Sequence, residues 1–278
     1  MKKMMLLILA SLSFSICLQA CASNTIPSQD AGETPEFVEE TPTIAPTAYP
    51  ALGQDTIQTG QHPYSYLAST GEEIRYLMYF PEDYQLKEHW PLIVYLHGAG
   101  AVGKNIDTML GERSLLGLLE NNSDFEFIVL SPQLPSGRWG KYIDLIDELL
   151  SHLTESLPVD ANHLYLTGIS LGGLGAWQYA LTYPDRFTAL APVGGAASFT
   201  SESVPENICT LKDLPIWIFH GEEDLFMKPE KNEAIASELE ACGGNVKFTL
   251  FPGVNHMDTF AIAYEDPALY EWFLEQSK

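Results

Sequence analysis

The stretch Leu164-Tyr-Leu-Thr-Gly-Ile-Ser170-Leu-Gly-Gly-Leu-Gly-Ala176 decides how this chain is read. An apolar run ends in Gly-x-Ser-x-Gly and passes into the small residues of a helix start. That layout holds a serine hydroxyl on a tight strand-to-helix turn at the rim of a sheet. Gly168 and Gly172 let the backbone pass close to itself where a Cβ would block it. The helix N-terminus behind Ser170 presents free backbone N–H groups to an anion. Ordinary Gly and Ser usage can produce so short a pattern, so its meaning depends on the rest of the chain.

Working outward, short apolar runs alternate with amphipathic segments. Tyr64–Ser69 and Ile74–Phe80 flank Thr70-Gly-Glu-Glu73 and read as an antiparallel hairpin. Strands are predicted over 92–96, 127–130, 163–167, 188–193, 215–219 and 246–251. Helices are predicted over 108–120, 142–157, 171–182, 229–241 and near 265–276. Tyr142, Ile146, Leu149, Leu153 and Leu157 recur at helical spacing, with acids between them. Strands alternating with helices demand an α/β fold with a mostly parallel, doubly wound sheet covered on both faces. In such sheets, sites form outside the carboxyl ends of the strands. No internal repeat, second domain or large lid insertion is read.

A serine hydroxyl is a poor nucleophile unless a neighbour takes its proton. Of the seven histidines, His62 and His89 lie in turns, His152 on a helix, and His163 enters a strand from its wrong end. His97 and His220 end strands, but each opens a His-Gly corner and reads as a loop brace. His256, in Gly253-Val-Asn-His-Met-Asp258 just past the last strand, is the expected base. Asp224, in Ile218-Phe-His-Gly-Glu-Glu-Asp224, is the expected orienter of the imidazole, with Glu222 and Glu223 as rivals. Asp258 reads as a helix N-cap. The Leu171 N–H and one from the loop His97-Gly-Ala-Gly100, with Ala99 as the choice, would form the oxyanion hole. That loop lacks a Walker Gly-Lys-Ser/Thr, so phosphate binding is discounted. Gln133 and Trp139 follow strand 127–130 and are expected at the substrate rim. Trp139 would stack there on a sugar or aromatic acyl group, or pack. Trp177 reads as core, and Phe226 and Met227 as an apolar wall or as helix packing.

The order Ser170, Asp224, His256 is that of α/β-hydrolases. Further matching stretches are Tyr79-Phe-Pro-Glu-Asp-Tyr84, Leu96-His-Gly-Ala-Gly100, Ser131-Pro-Gln133 followed by Trp139, Val159-Asp160, His163-Leu-Tyr-Leu-Thr-Gly168, Trp217-Ile-Phe-His-Gly221 and Gly253-Val-Asn-His256. Over roughly 75–275 the chain resembles secreted α/β-hydrolase esterases near the poly(3-hydroxybutyrate) depolymerase, feruloyl/acetyl-xylan esterase and "predicted peptidase" group. The resemblance implies an α/β-hydrolase fold and a serine carboxylesterase working through an acyl-enzyme. No cofactor and no metal are expected, and the substrate would be a small-molecule or polysaccharide ester. A serine peptidase of the same fold and a non-catalytic binding lipoprotein are the alternatives, because one fold serves many chemistries.

The N-terminal region points to export. Lys2 and Lys3 precede an apolar run from Met4 to Leu18, too short and wrongly flanked for a membrane span. Leu18-Gln-Ala-Cys21 resembles the lipobox of bacterial lipoproteins, which implies cleavage before Cys21 and a lipid on its sulfur. The expected domains are a signal at 1–20, a lipid-anchored disordered spacer at 21–55 and a catalytic domain at 56–278. The spacer is rich in Pro, Thr, Ser, Ala and Glu and has no Lys or Arg. The anchor would hold the protein at the cell envelope, and a signal cut near Ala20 or Ala22 would instead release it soluble. The net charge of −23 argues against nucleic acid, anionic lipid and polyuronate as partners. Cys209 and Cys242 remain in the exported domain, where two unpaired thiols are expected and a disulfide is possible.

Overall fold

The computed structural model describes residues 49–278 except 112, 121, 123 and 199–203. The signal, Cys21 and most of the spacer lie outside the described residues. Eight strands form one sheet: β1 (Gly60–Leu67), β2 (Glu73–Phe80), β3 (Trp90–Leu96), β4 (Ile128–Pro132), β5 (Val159–Ile169), β6 (Ala189–Val193), β7 (Ile216–Gly221) and β8 (Val246–Phe251). Their order is β1-β2-β4-β3-β5-β6-β7-β8. β1, β2 and β4 pair antiparallel, and every pair from β4 to β8 is parallel.

The helices are α1 (Leu115–Leu119), α2 (Ile143–Ser156), α3 (Leu171–Thr182), α4 (Glu230–Ala241), α5 (His256–Glu265) and α6 (Pro267–Leu274). Side chains alternate across the strands, so the sheet feeds two cores. Leu92, Val94 and Leu96 join Leu149, Trp177 and Leu239 of α2, α3 and α4 on one face. Ile93 and Tyr95 join Leu116, Tyr264 and Phe273 of α1, α5 and α6 on the other. The chain winds one way from β3 to β4, then crosses past β3 to β5 and continues the other way to β8. That reversal opens a crevice at the carboxyl ends of β3 and β5, where Gly98–Gly100 and Ser170 lie.

Four expectations change. The predicted helix 108–120 is a 3₁₀ turn at Ile106–Met109 and the short α1, separated by Gly111 at φ 77°. The predicted C-terminal helix near 265–276 is α6, which Pro267 starts under an Asp266 cap, and a further helix, α5, directly precedes it. Residues 49–50, within the range expected for the spacer, are tied to β1: Ser65 donates from its N–H to the Pro50 carbonyl and from its hydroxyl to the Tyr49 carbonyl. Cys209 and Cys242 are joined in a disulfide, which ties the turn before β7 to the end of α4.

Candidate active site

The elbow is built as tightly as its glycines suggest. Ser170 sits at φ 51°, the only non-glycine residue with positive φ among the described residues, a conformation that costs on the order of 1–3 kcal/mol and persists only where its surroundings hold it. They do so here. Its N–H donates to the Val193 carbonyl, and its carbonyl accepts from the Leu174 N–H. A Cβ on Gly172 would lie 1.8 Å from the Leu96 carbonyl oxygen, and one on Gly168 2.6 Å from the Gly172 oxygen. Only glycine permits so close a crossing of β3, β5 and α3.

Ser170 Oγ lies 2.8 Å from His256 Nε2, and His256 Nδ1 lies 2.5 Å from Asp224 Oδ2. His256 is the first residue of α5, whose cap is Asn255; the Asn255 side chain accepts from the Met257 and Asp258 N–H groups. Asp258 is therefore not the cap, and it pairs with Arg113 at 3.0 Å. The imidazole edge rests on Phe260, and Phe226 lies over it at 5.3 Å.

Asp224 is buried, and burial alone would raise its pKa. Hydrogen bonds from His220, His256 and the Met227 N–H outweigh this and hold the carboxyl well below the usual carboxylate range. Its Oδ1 accepts from the Phe226 and Met227 N–H groups at 2.9 and 2.8 Å. The rivals point elsewhere: Glu222 and Glu223 are exposed, and Glu222 accepts from the Gly253 N–H. His220 braces the acid's loop. Its Nε2 contacts the Met227 carbonyl at 2.6 Å, and its Nδ1 accepts from Asn232 at 2.8 Å.

The N–H groups of Leu171 and Ala99 have no hydrogen-bond partner among the described residues. Ala99 and Ser170 line the same cleft, and Leu171 directly follows Ser170. His97 anchors the Ala99 loop from beneath. Its Nδ1 lies 2.7 Å from the Gly98 carbonyl, and its Nε2 accepts from the Leu134 N–H at 2.9 Å.

Gln133 and Trp139 do not reach the rim. Gln133 is 3% exposed, and its amide nitrogen donates to the Asn105 carbonyl at 2.7 Å. Trp139 is 1% exposed, donates to the His97 carbonyl and packs edge-on to the His97 ring. Gly175 leaves the space its indole occupies, since a Cβ there would meet the ring at 2.5 Å. Trp139 thus supports the loop at His97, Gln133 ties down the segment at Asn105, and neither side chain lines the cleft at Ser170. Met227 is buried, whereas Phe226 is exposed and lines the cleft. Reasoning on the sequence missed Leu110 and Met257, two further exposed apolar residues of a cleft of about 480 Å³. Among the described residues, the cluster with metal-ligand spacing is Cys209, Glu238 and Cys242. Its two sulfurs are bonded to each other.

The dienelactone hydrolase family matches residues 132–269. A Salmonella typhimurium protein provisionally named a carboxymethylenebutenolidase is 29% identical over 100 residues, 35% of this chain and 37% of that relative. Carboxylesterase SOBER1 of Arabidopsis thaliana is 28% identical over 94 residues, 34% of this chain and 41% of its own. The chain thus spans about two fifths of the length of these curated relatives. Among solved structures, a thermostable esterase superimposes with a TM-score of 0.71 at 26% identity, covering 79% of this chain and 64% of that one. The ferulic acid esterase of Anaeromyces mucronatus, solved with ferulic acid, gives 0.58 at 18% identity, covering 80% and 94%. The chain belongs to the α/β-hydrolase superfamily and carries the dienelactone hydrolase family's pattern over residues 132–269.

Proposed function

We propose that this protein is a serine hydrolase of carboxylic esters that works through an acyl-enzyme. The observation that carries the reading is the continuous chain from Asp224 through His256 to Ser170 Oγ at the crevice of the sheet. Ser170 Oγ attacks the ester carbonyl while His256 Nε2 takes its proton. Asp224 accepts from Nδ1, fixes the tautomer and stabilises the imidazolium. The tetrahedral oxyanion is held by the Leu171 and Ala99 N–H groups, donors of a kind typically worth several kcal/mol of transition-state stabilisation. His256 returns the proton to the departing alcohol, and water then releases the acid by the same steps in reverse. The substrates are neutral esters, since the chain's net charge of −23 repels anions.

The protein acts outside the cytoplasm in this reading, with Cys21 lipidated and the spacer holding the domain at the envelope. Replacing Cys21 by Ser is expected to move the protein from the membrane fraction to the soluble one. The central test is incubation of the purified protein with short acyl esters and with a fluorophosphonate probe. Ester turnover and labelling, both lost in Ser170→Ala, are expected. Failure of every ester together with absence of labelling would overturn the reading.

A further inference from the structure

The mouth of the cleft carries exposed apolar side chains on a strongly acidic protein. Phe226 is 83% exposed, Met257 56% and Leu110 39%, and all three line the cleft with Ser170 and His256. Single exposed apolar residues need no explanation, but a cluster at a reactive site does. The backbone is built to show Phe226. Asp224 Oδ1 binds the N–H groups of both Phe226 and Met227, and the turn sends Met227 into the core and Phe226 outward. Met257 directly follows His256. The segment carrying Leu110 is tied to the same helix by the ion pair of Arg113 and Asp258. Among the described residues, no Asp, Glu, Lys or Arg side chain lines the cleft.

On the ester-hydrolase reading, position tells which half of the ester these groups meet. Acylation forms the bond from Ser170 Oγ to the acyl carbon and breaks the bond from that carbon to the alcohol oxygen. The proton from Ser170 passes through His256 Nε2 to that departing oxygen, so the alcohol's carbon skeleton begins beside the imidazole. The carbonyl oxygen points instead at the Leu171 and Ala99 amides. Phe226, over the imidazole at 5.3 Å, and Met257 therefore flank the alcohol.

We propose that Phe226, Met257 and Leu110 form a leaving-group subsite for an apolar alcohol, an alkyl or aryl alcohol of several carbons. A carbohydrate alcohol would exchange water for side chains without donors or acceptors, at a cost for each unpaired hydroxyl.

The test is a series of methyl, butyl and hexyl acetates. Their alcohols differ little in pKa, so kcat/KM for acylation reports contact and not leaving-group chemistry. We expect kcat/KM to rise about two- to fourfold per methylene until the subsite is filled. Phe226→Ser should reduce the hexyl-to-methyl ratio about tenfold, and Phe226→Leu should keep most of it. The mirror series of methyl acetate, butanoate and hexanoate should have a slope that Phe226→Ser does not change. A flat alcohol series, or a ratio that survives Phe226→Ser, overturns the subsite and leaves ester hydrolysis standing. No turnover of any ester and no fluorophosphonate adduct removes the hydrolase reading, and the subsite with it.

Discussion

His97 Nδ1 donates to the carbonyl oxygen of Gly98 at 2.7 Å and thereby aims the Ala99 N–H. The Gly98 C=O and the Ala99 N–H are opposite ends of one planar trans peptide, so a bond holding one end orients the other. Nε2 is occupied by the Leu134 N–H, which places the ring proton on Nδ1. Trp139 closes the ring from the side. On the proposed mechanism the Ala99 N–H is an oxyanion donor; loss of such a donor costs about 10²–10³ in kcat, and a mis-aimed one should fall at or below the lower end of that range. His97→Ala is accordingly expected to lower kcat about ten- to a hundredfold with a smaller change in KM. An unchanged kcat in a variant with a native circular dichroism spectrum would remove this role.

The same ring links stability to pH. Burial, opposed by the Gly98 carbonyl, lowers the His97 pKa from 6.5 to about 4. Between those values the unfolded chain binds a proton that the native chain refuses. Stability therefore rises with pH across this window and falls as pH drops from 6.5 towards 4. The contribution is bounded by about 3 kcal/mol. Asp224 acts in a lower window. Its depressed native pKa contributes stability that is present above 3.8 and is lost as pH falls further through the native value. Urea midpoints at pH 7 and pH 5 should separate in the parent protein and converge in His97→Gln. Equal separation in both would exclude His97 as the source.

Asp224 serves two structures at once, and substitutions can divide them. Asn at this position keeps an oxygen for the Phe226 and Met227 N–H groups but cannot balance the His256 cation. Asp224→Asn is expected to fold normally and to lower kcat by about 10⁴. Asp224→Ala also strands those buried donors, so its melting temperature should fall as well, by an amount matching about 1–3 kcal/mol. Similar kcat values for Asp224→Asn and the parent, in an ester assay, would exclude the assigned orienting role.

What could be read from the sequence follows from what each signal encodes. The elbow was legible because its glycines are needed by the crossing of Leu96 against Gly172, and because a buried run passes directly into helical spacing. Asp224 and His256 were legible because a parallel sheet sends its loops to one edge. Position past a strand end does not say which way a side chain turns, so Gln133 and Trp139 were placed at the rim. The cavity that Gly175 leaves for the indole lies 36 residues along the chain, and local sequence does not report it. α5 starts three residues earlier than a cap at Asp258 implies, because Asn255 is the cap; Phe260, Ala263 and Tyr264 recur at helical spacing behind it. The cysteine pair depended on the packing of α4 against the turn at Ile208–Leu211, which spacing alone does not encode.

The disulfide between Cys209 and Cys242 lies away from the chemistry. Both residues precede strand starts, at β7 and β8, whereas Ser170, Asp224 and His256 follow strand ends. Closing a loop of 33 residues removes unfolded-chain entropy worth about 3–4 kcal/mol in the loop-closure account. The Cys209→Ser, Cys242→Ser double variant should melt at a lower temperature, with kcat at 25 °C unchanged. A coupled loss of kcat in the still-folded variant would show that α4 transmits strain to Asp224.

Gly172 offers the sharpest test of the elbow. A methyl group there would fall 1.8 Å from the Leu96 oxygen and 2.7 Å from the His97 oxygen. Both are backbone atoms of the segment that leads into the oxyanion loop, so neither can yield as a side chain would. Relief requires α3 to part from β3, which moves the Leu171 and Ala99 amides together. Gly172→Ala is expected to destabilise by more than about 3 kcal/mol or to prevent folding, against a helix-propensity gain of about 1 kcal/mol from the same substitution. Gly100→Ala, where nothing lies within 4 Å, should change stability by less than about 0.5 kcal/mol. Thermal melts of the two variants decide the matter: similar melting temperatures would mean that the crossing of β3 and α3 is looser than the elbow requires.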